Sequence, residues 1–125
     1  TCIHGSYLEE PFGIELFDAA VSVESLHHFP AEKKRQCYRK LHAALKTDGY
    51  FVLTDYFAES EKQEKENFEA LKAIKQKNNL SNEEFYHYDT PLTVQHEREI
   101  LLQAGFSQVT LLKRWGATQT LLAKR

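Results

Sequence analysis

Two near-continuous apolar runs of strand length punctuate the first half of the chain: FDAAVSV, residues 17–23, and GYFVLTDYF, residues 49–57. Such runs are the pattern of strands buried on both faces of a parallel sheet. Between them the apolar spacing changes. Tyr38, Leu41 and Leu45 form one inward stripe behind Pro30, a residue suited to a helix's first turn, so a helix is predicted from Pro30 to about Leu45. The KTDG segment predicts its stop, with Gly49 as the left-handed terminator. Strand, helix, strand in this order is a right-handed crossover unit and predicts an α/β sheet.

The flanks extend the pattern. TCIHGSY reads as a short strand ending near Gly5, followed by the loop LEEPFGIEL with Pro11 and Gly13. A charged helix is predicted from about Ser60 to Asn78, with a narrow stripe of Phe68, Leu71 and Ile74. Such a face docks lightly, and its Glu/Lys run suits a solvated surface. An aromatic loop, NNLSNEEFYHYDTPL, leads to a third helix capped by Thr93 and ended by Gly105 after Ala104. SQVTLLKRWGATQTLLAKR reads as an antiparallel hairpin turning at Trp115, Gly116 and Ala117. A dehydrogenase-type doubly wound sheet is all parallel, so this hairpin argues against half of a nicotinamide enzyme.

Composition narrows the function classes. The 125 residues fit one domain with a core of its own. A net charge of -2 gives no electrostatic footprint for nucleic acid. No run approaches the ~20 apolar residues that span a bilayer, and no signal-peptide pattern opens the chain; a cytoplasmic protein is expected. Cys2 and Cys37 form no CxxC or metal-ligand spacing, so no metal site is expected. Cys37, in a helical pattern with Tyr38 and Leu41, reads as a small buried hydrophobe. The chain contains no Met and starts within a predicted strand, which fits a chain beginning inside a domain.

Taken in order, these segments resemble the C-terminal part of a class I S-adenosylmethionine-dependent methyltransferase. FDAAVSVESLHHF resembles the family's fourth-strand motif, often D-x-V-x-S-x-x-x-x-H-H, and LHAALKTDGYFVLTD its helix, turn and fifth strand. HYDTPLTVQHEREILLQAGF resembles the last helix with its AGF ending, and the hairpin resembles strands six and seven. IHGSY resembles the end of the third strand, with Ser6 where the family tends to place an acid; Asp48 replaces the first glycine of its usual turn pair. The resemblance implies an incomplete Rossmann-like methyltransferase sheet over residues 1–125, from third strand to seventh, with residues 58–92 as a helical insertion or acceptor lid. The family's glycine-rich cofactor loop has no counterpart: the glycines, at 5, 13, 49, 105 and 116, form no G-x-G turn.

Ligands of open α/β sheets lie beyond the carboxyl ends of the strands. The resemblance therefore implies S-adenosyl-L-methionine as cofactor, bordered by Gly5, Ser6, Ser22, Glu24 and His27, and a small-molecule acceptor facing Asp55 and Tyr56. Tyr86 and Tyr88, with His87 between them, lie in the lid segment and are expected to contact the acceptor. Methyl transfer requires alignment and, for a protonated acceptor, a base. Histidine titrates near neutrality, so His28 and His27 are the catalytic candidates, of which at most one faces the acceptor. His42 and His96, inside helices, are expected to be structural or exposed. The chain alone is expected to be inactive. In the resembling family the first strand lies beside the fourth, so the resemblance implies an unpaired edge at residues 17–23, apolar and without Lys or Pro, and from it a homodimer. The alternative is a non-catalytic binding or dimerisation module that retains the sheet.

Overall fold

The computed structural model describes residues Thr1–Arg125. The elements are β1 (Phe17–Val23), a 3-10 turn (Leu26–His28), α1 (Ala31–Ala44), β2 (Leu45–Tyr56), α2 (Glu61–Lys77), α3 (Val94–Gln103), β3 (Gln108–Trp115) and β4 (Thr118–Lys124). They form one four-stranded sheet ordered β1-β2-β4-β3. β1 runs parallel to β2, while β4 is antiparallel to both β2 and β3. The crossover unit and the closing hairpin are both present, as their patterns predict.

The core lies on one face of this sheet. Phe51 and Leu53 of β2 stand beside Ala123 and Leu121 of β4, and all four are buried. Over them pack Cys37 and Tyr38 of α1 and Ile100 and Leu101 of α3. α1 and α3 are joined by a buried polar cluster as well. Lys34 Nζ donates to Glu97 Oε2 at 2.7 Å, and the Tyr38 hydroxyl donates to Glu97 Oε1. Lys34 and Glu97 are only 2% and 1% exposed, so each charge depends on the other. Burial, then the Glu97 charge, pushes the Tyr38 phenol far above its ordinary range, which keeps it a donor. Charged residues at positions 34 and 97 gave no hint of this in the periodicity.

Three expectations are corrected. First, TCIHGSY forms no strand. A strand needs a ladder partner, and this segment turns its backbone elsewhere. The Ser6 carbonyl accepts from Glu9 N and Glu10 N, and Lys40 Nζ collects the carbonyls of Tyr7, Leu8 and Glu10 at 2.8–2.9 Å. Second, β1 is not buried on both faces. It is an edge strand with β2 as its one neighbour, and Val21 and Val23 on one face are 69% and 58% exposed. Third, Gly49 does not terminate α1. The helix ends at Ala44, where Leu45 turns directly into extended backbone, and Gly49 lies within β2 without a positive φ. Glycine is required there by proximity: a Cβ would stand 2.8 Å from the Lys46 carbonyl oxygen and 3.2 Å from that of Asp18.

The remaining ends follow their sequence signals. α2 is capped by Ser60, whose side chain accepts from Gln63 N, and buries no residue. Thr93 caps α3 by accepting from His96 N, and Gly105 beyond it has φ +120°. α2 is fastened to α3 by Glu64, which accepts from Thr93 N at 2.8 Å and lies 2.6 Å from His96 Nδ1. His96 is therefore a paired residue of the helix docking.

Removing one partner from the α1–α3 cluster leaves an uncompensated buried charge. Lys34→Ala is expected to lower unfolding free energy by about 3–5 kcal/mol. Tyr38→Phe, which deletes only a charge-assisted hydrogen bond, is expected to cost about 1.5–3 kcal/mol. Urea denaturation of the two variants measures both.

Candidate functional site

The parallel register places Val23 beside Thr54, so β1 and β2 end side by side at their carboxyl ends. Beyond Val23 the chain must leave the sheet. Glu24 makes the turn in left-handed backbone, φ +47°, with its amide donating to the Thr54 carbonyl at 2.8 Å. A non-glycine residue held there costs free energy and is typical of functional turns. The 3-10 turn Leu26–His28 then brings both histidines over the end of β2.

Asp55 organises the turn. Its Oδ2 accepts from Leu26 N at 3.0 Å, and its Oδ1 accepts from Tyr56 N at 2.8 Å and meets His27 Nδ1 at 2.5 Å. Both side chains are nearly sealed, His27 at 5% and Asp55 at 4% exposure. A carboxylate can only accept, so Nδ1 of His27 carries a proton toward Asp55, and in the neutral form of the ring Nε2 presents a lone pair. That atom lies 3.4 Å from Asp89 Oδ1. The turn is held from the other side by Thr90, whose amide donates to the His27 carbonyl at 2.9 Å.

His28 occupies a different environment. Its ring lies 4.0 Å from that of His27 and 4.4 Å from that of His87. Nδ1 is 3.0 Å from Asp89 Oδ1 but out of line for a hydrogen bond, and it is otherwise buried without a partner. Burial, then the neighbouring His27 and His87, holds the His28 pKa below its ordinary value. His28 also borders a cleft of about 630 Å³ between the start of α1, α2 and the 82–86 loop, with Phe29, Phe68, Leu71, Phe85 and Tyr86 on its walls.

The candidates from sequence thus divide. His27, His28, Asp55 and Tyr56 share one constellation, with the Tyr56 ring 4.9 Å from His27. The Glu24 carboxylate beside Tyr56 pushes that phenol above its ordinary value. Asp55 is turned inward onto His27, away from any open cleft. Ser22 faces a second, largely apolar cleft of about 320 Å³ lined by Tyr7, Val21, Val23 and Leu26. Gly5 and Ser6 are exposed on the neighbouring segment, which Tyr7 attaches to the site by donating to the Ser25 carbonyl at 3.2 Å. Tyr86 lines the larger cleft, whereas Tyr88 lines neither. Asp89, Thr90 and the His87 contact were not legible. Their only signal was polar residues just before Thr90-Pro91 in an aromatic loop.

Residues 1–53 match a family model described as "Methyltransferase domain". No curated protein sequence matches the chain. Among solved structures, the fold is similar to that of a candidate O-methyltransferase of Nostoc punctiforme, with TM-score 0.70 and 22% identity over 98% of this chain and 35% of that one. Human N-acetylserotonin methyltransferase, solved with S-adenosylmethionine, gives TM-score 0.66 and 16% identity over 97% of this chain and 32% of that one. The 1,6-didemethyltoxoflavin-N1-methyltransferase of Burkholderia thailandensis gives 0.64 and 17% identity over 98% of this chain and 49% of that one. The chain thus spans about a third to a half of these structures. The fold is an incomplete Rossmann-like methyltransferase fold, and the resemblance seen in the motifs extends to the arrangement of the whole sheet. No helix is long and apolar enough to cross a membrane.

Asp55 anchors the turn at three points, so its loss exposes a testable dependence. Asp55→Ala strands the amides of Leu26 and Tyr56 and is expected to cost about 2–6 kcal/mol in chemical denaturation, at roughly 1–3 kcal/mol per stranded group. The His27 ring resonances are expected to broaden or shift in the same variant, which NMR reads directly.

Proposed function

We propose that this chain belongs to the active-site half of a cytoplasmic S-adenosylmethionine-dependent methyltransferase acting on a small molecule. One observation carries this proposal: an Asp55–His27 pair at the joined carboxyl ends of two parallel strands, in a methyltransferase fold. Asp55 fixes the ring and its tautomer, and Nε2 of His27 takes the acceptor's proton as the acceptor is methylated. Burial of the pair supports this role, because an imidazolium formed there is compensated by the carboxylate behind it. Asp55 is then a positioning residue rather than an acceptor contact. His28, Phe29, Phe85 and Tyr86 supply the wall of the acceptor cleft.

The fit to the cofactor is partial. The apolar cleft of Tyr7, Val21, Val23 and Leu26, with the hydroxyls of Ser22 and Ser25, suits an aromatic base bearing an amine. Glu24 at the strand end supplies a carboxylate for polar groups beside it. The cofactor, when bound, supplies an electrophilic methyl on a sulfonium centre. No G-x-G turn is present to receive its charged end. Isothermal calorimetry on residues 1–125 is therefore expected to give weak or no S-adenosylmethionine binding, whereas low-micromolar affinity would show that these strand ends suffice.

In the full-length protein, His27→Gln is expected to lower turnover by roughly 10²–10⁴-fold, the range for a general base. His28→Ala is expected to act mainly on the acceptor KM. Equal turnover in wild type and His27→Gln would remove the base from the proposal while leaving the fold untouched.

A second, non-catalytic role as a dimerisation module is supported by β1. Phe17, Val21 and Val23 are 49%, 69% and 58% exposed on a strand with a free edge. Unprotected edges of this kind pair with other chains, and a second copy closes the contact with two-fold symmetry. Light scattering at micromolar concentration is expected to give a dimer, and a Val21→Lys variant is expected to return it to monomer.

A further inference from the structure

Three donor atoms converge above the 3-10 turn: His27 Nε2, His28 Nδ1 and Asp89 Oδ1, all within 4.8 Å of one another. We propose that they bind a divalent transition-metal ion of the zinc class; the site shares His27 with the proposed base, and its occupancy is read without methyl transfer.

The first support is the chemistry of the donors. The Asp55 carboxylate commits Nδ1 of His27 to a hydrogen bond, so a neutral ring offers its lone pair at Nε2. Facing it at 3.4 Å is Asp89 Oδ1, also an acceptor. In that form two acceptors face each other, and a cation between them satisfies both. His28 Nδ1, 3.0 Å from the same oxygen, is buried yet has no hydrogen-bond partner. An orphaned ring nitrogen of this kind is the expected state of a ligand atom considered apart from its metal.

The second support is spacing. Zinc bonds of about 2.0–2.2 Å put tetrahedral donors roughly 3.3–3.6 Å apart. The His27–Asp89 separation of 3.4 Å meets this, and the His28–Asp89 separation of 3.0 Å is slightly closer. The third edge, His27 Nε2 to His28 Nδ1, lies within 4.8 Å, and closing on a metal requires the partly exposed His28 ring to turn. Two imidazoles and one carboxylate suit zinc and its neighbours in the series rather than magnesium or calcium, which prefer oxygen. Three protein ligands leave a position open for water or an acceptor atom.

The third support is the outer shell. Metal-bound histidines usually pass their other N–H to a carboxylate, which fixes the ring and raises its donor strength. Asp55 already holds His27 in that way, and its own remaining oxygen is bonded to Leu26 N. The His87 ring, 4.4 Å from that of His28, is the next imidazole within reach. Metal at Nε2 excludes a proton from the same atom, so occupancy would also switch off His27 as a base.

The test uses the metal alone. Metal-free chain is titrated with ZnCl₂ by calorimetry and with CoCl₂ by visible absorption, in wild type, His28→Ala and Asp89→Ala. One ion per chain is expected, with the intense visible band of four-coordinate cobalt. Affinity is expected to fall at least ~10-fold in each variant. Both side chains are partly exposed, so the variants should keep the wild-type circular dichroism. A Cys2→Ser, His4→Gln control is expected to bind as wild type, since Cys2 is exposed and lies outside the site. Absence of uptake overturns the proposal, as does uptake unchanged in His28→Ala and Asp89→Ala or abolished in the control. A His27 ring protonated at both nitrogens and unmoved by zinc in ¹⁵N NMR would also overturn it, leaving an imidazolium held between Asp55 and Asp89.

Discussion

The Asp55 carboxylate is the constraint on which the site depends. It is buried at the end of a central strand and satisfied by one imidazole and two backbone amides. A carboxylate placed there without those donors would be driven to protonate or to unfold the strand end. The donors come from two places: Tyr56 on its own strand, and Leu26 and His27 on the turn after β1. The parallel pairing of β1 and β2 brings the two ends level, so sheet register and turn geometry are enforced by one side chain. The left-handed backbone at Glu24 is the conformational cost of reaching it.

The helical layer is tied down by a second buried charge, far from the first in sequence. Lys34 and Glu97 are 63 residues apart and hold α1 against α3. α1 begins directly after the histidine turn, so this pair fixes where that turn can lie. α2, by contrast, has no fully buried residue; it rests on the core through the half-buried Phe68 and is held by Glu64 at the Thr93–His96 cap. The layer therefore has a rigid half beside the site and a lightly held half over the larger cleft, a division suited to a wall that admits small ligands.

Much of this was legible from residue patterns. The apolar runs, Pro30, Thr93, Gly105 and the closing hairpin announced the elements, because each depends on local chemistry. The pattern failed where partners decide. FDAAVSV has the composition of a strand covered on both faces, yet Val21 and Val23 are exposed, and TCIHGSY has strand residues but gives its carbonyls to Lys40. Gly49 looked like a helix stop because its neighbours are turn formers, whereas a close backbone approach explains it. At the site, the ESLHH segment and Asp55 were visible as polar residues after apolar runs. That Asp55 faces His27 rather than a ligand, and that Asp89 reaches both histidines from a loop over 60 residues later, are facts of tertiary contact.

The sheet order also divides the molecule in time. β2 and β4 are each paired on both sides, whereas β1 and β3 have one free edge. Amides of the inner pair therefore exchange with solvent only through large openings, and those of the edges through local ones. The Leu26 amide belongs to neither class, because its protector is a side chain: the buried Asp55 carboxylate at 3.0 Å. Its exchange rate reports the release of the Asp55 carboxylate from the turn, apart from any opening of the sheet. A single backbone proton thus serves as a clock for how often Asp55 lets go of the turn.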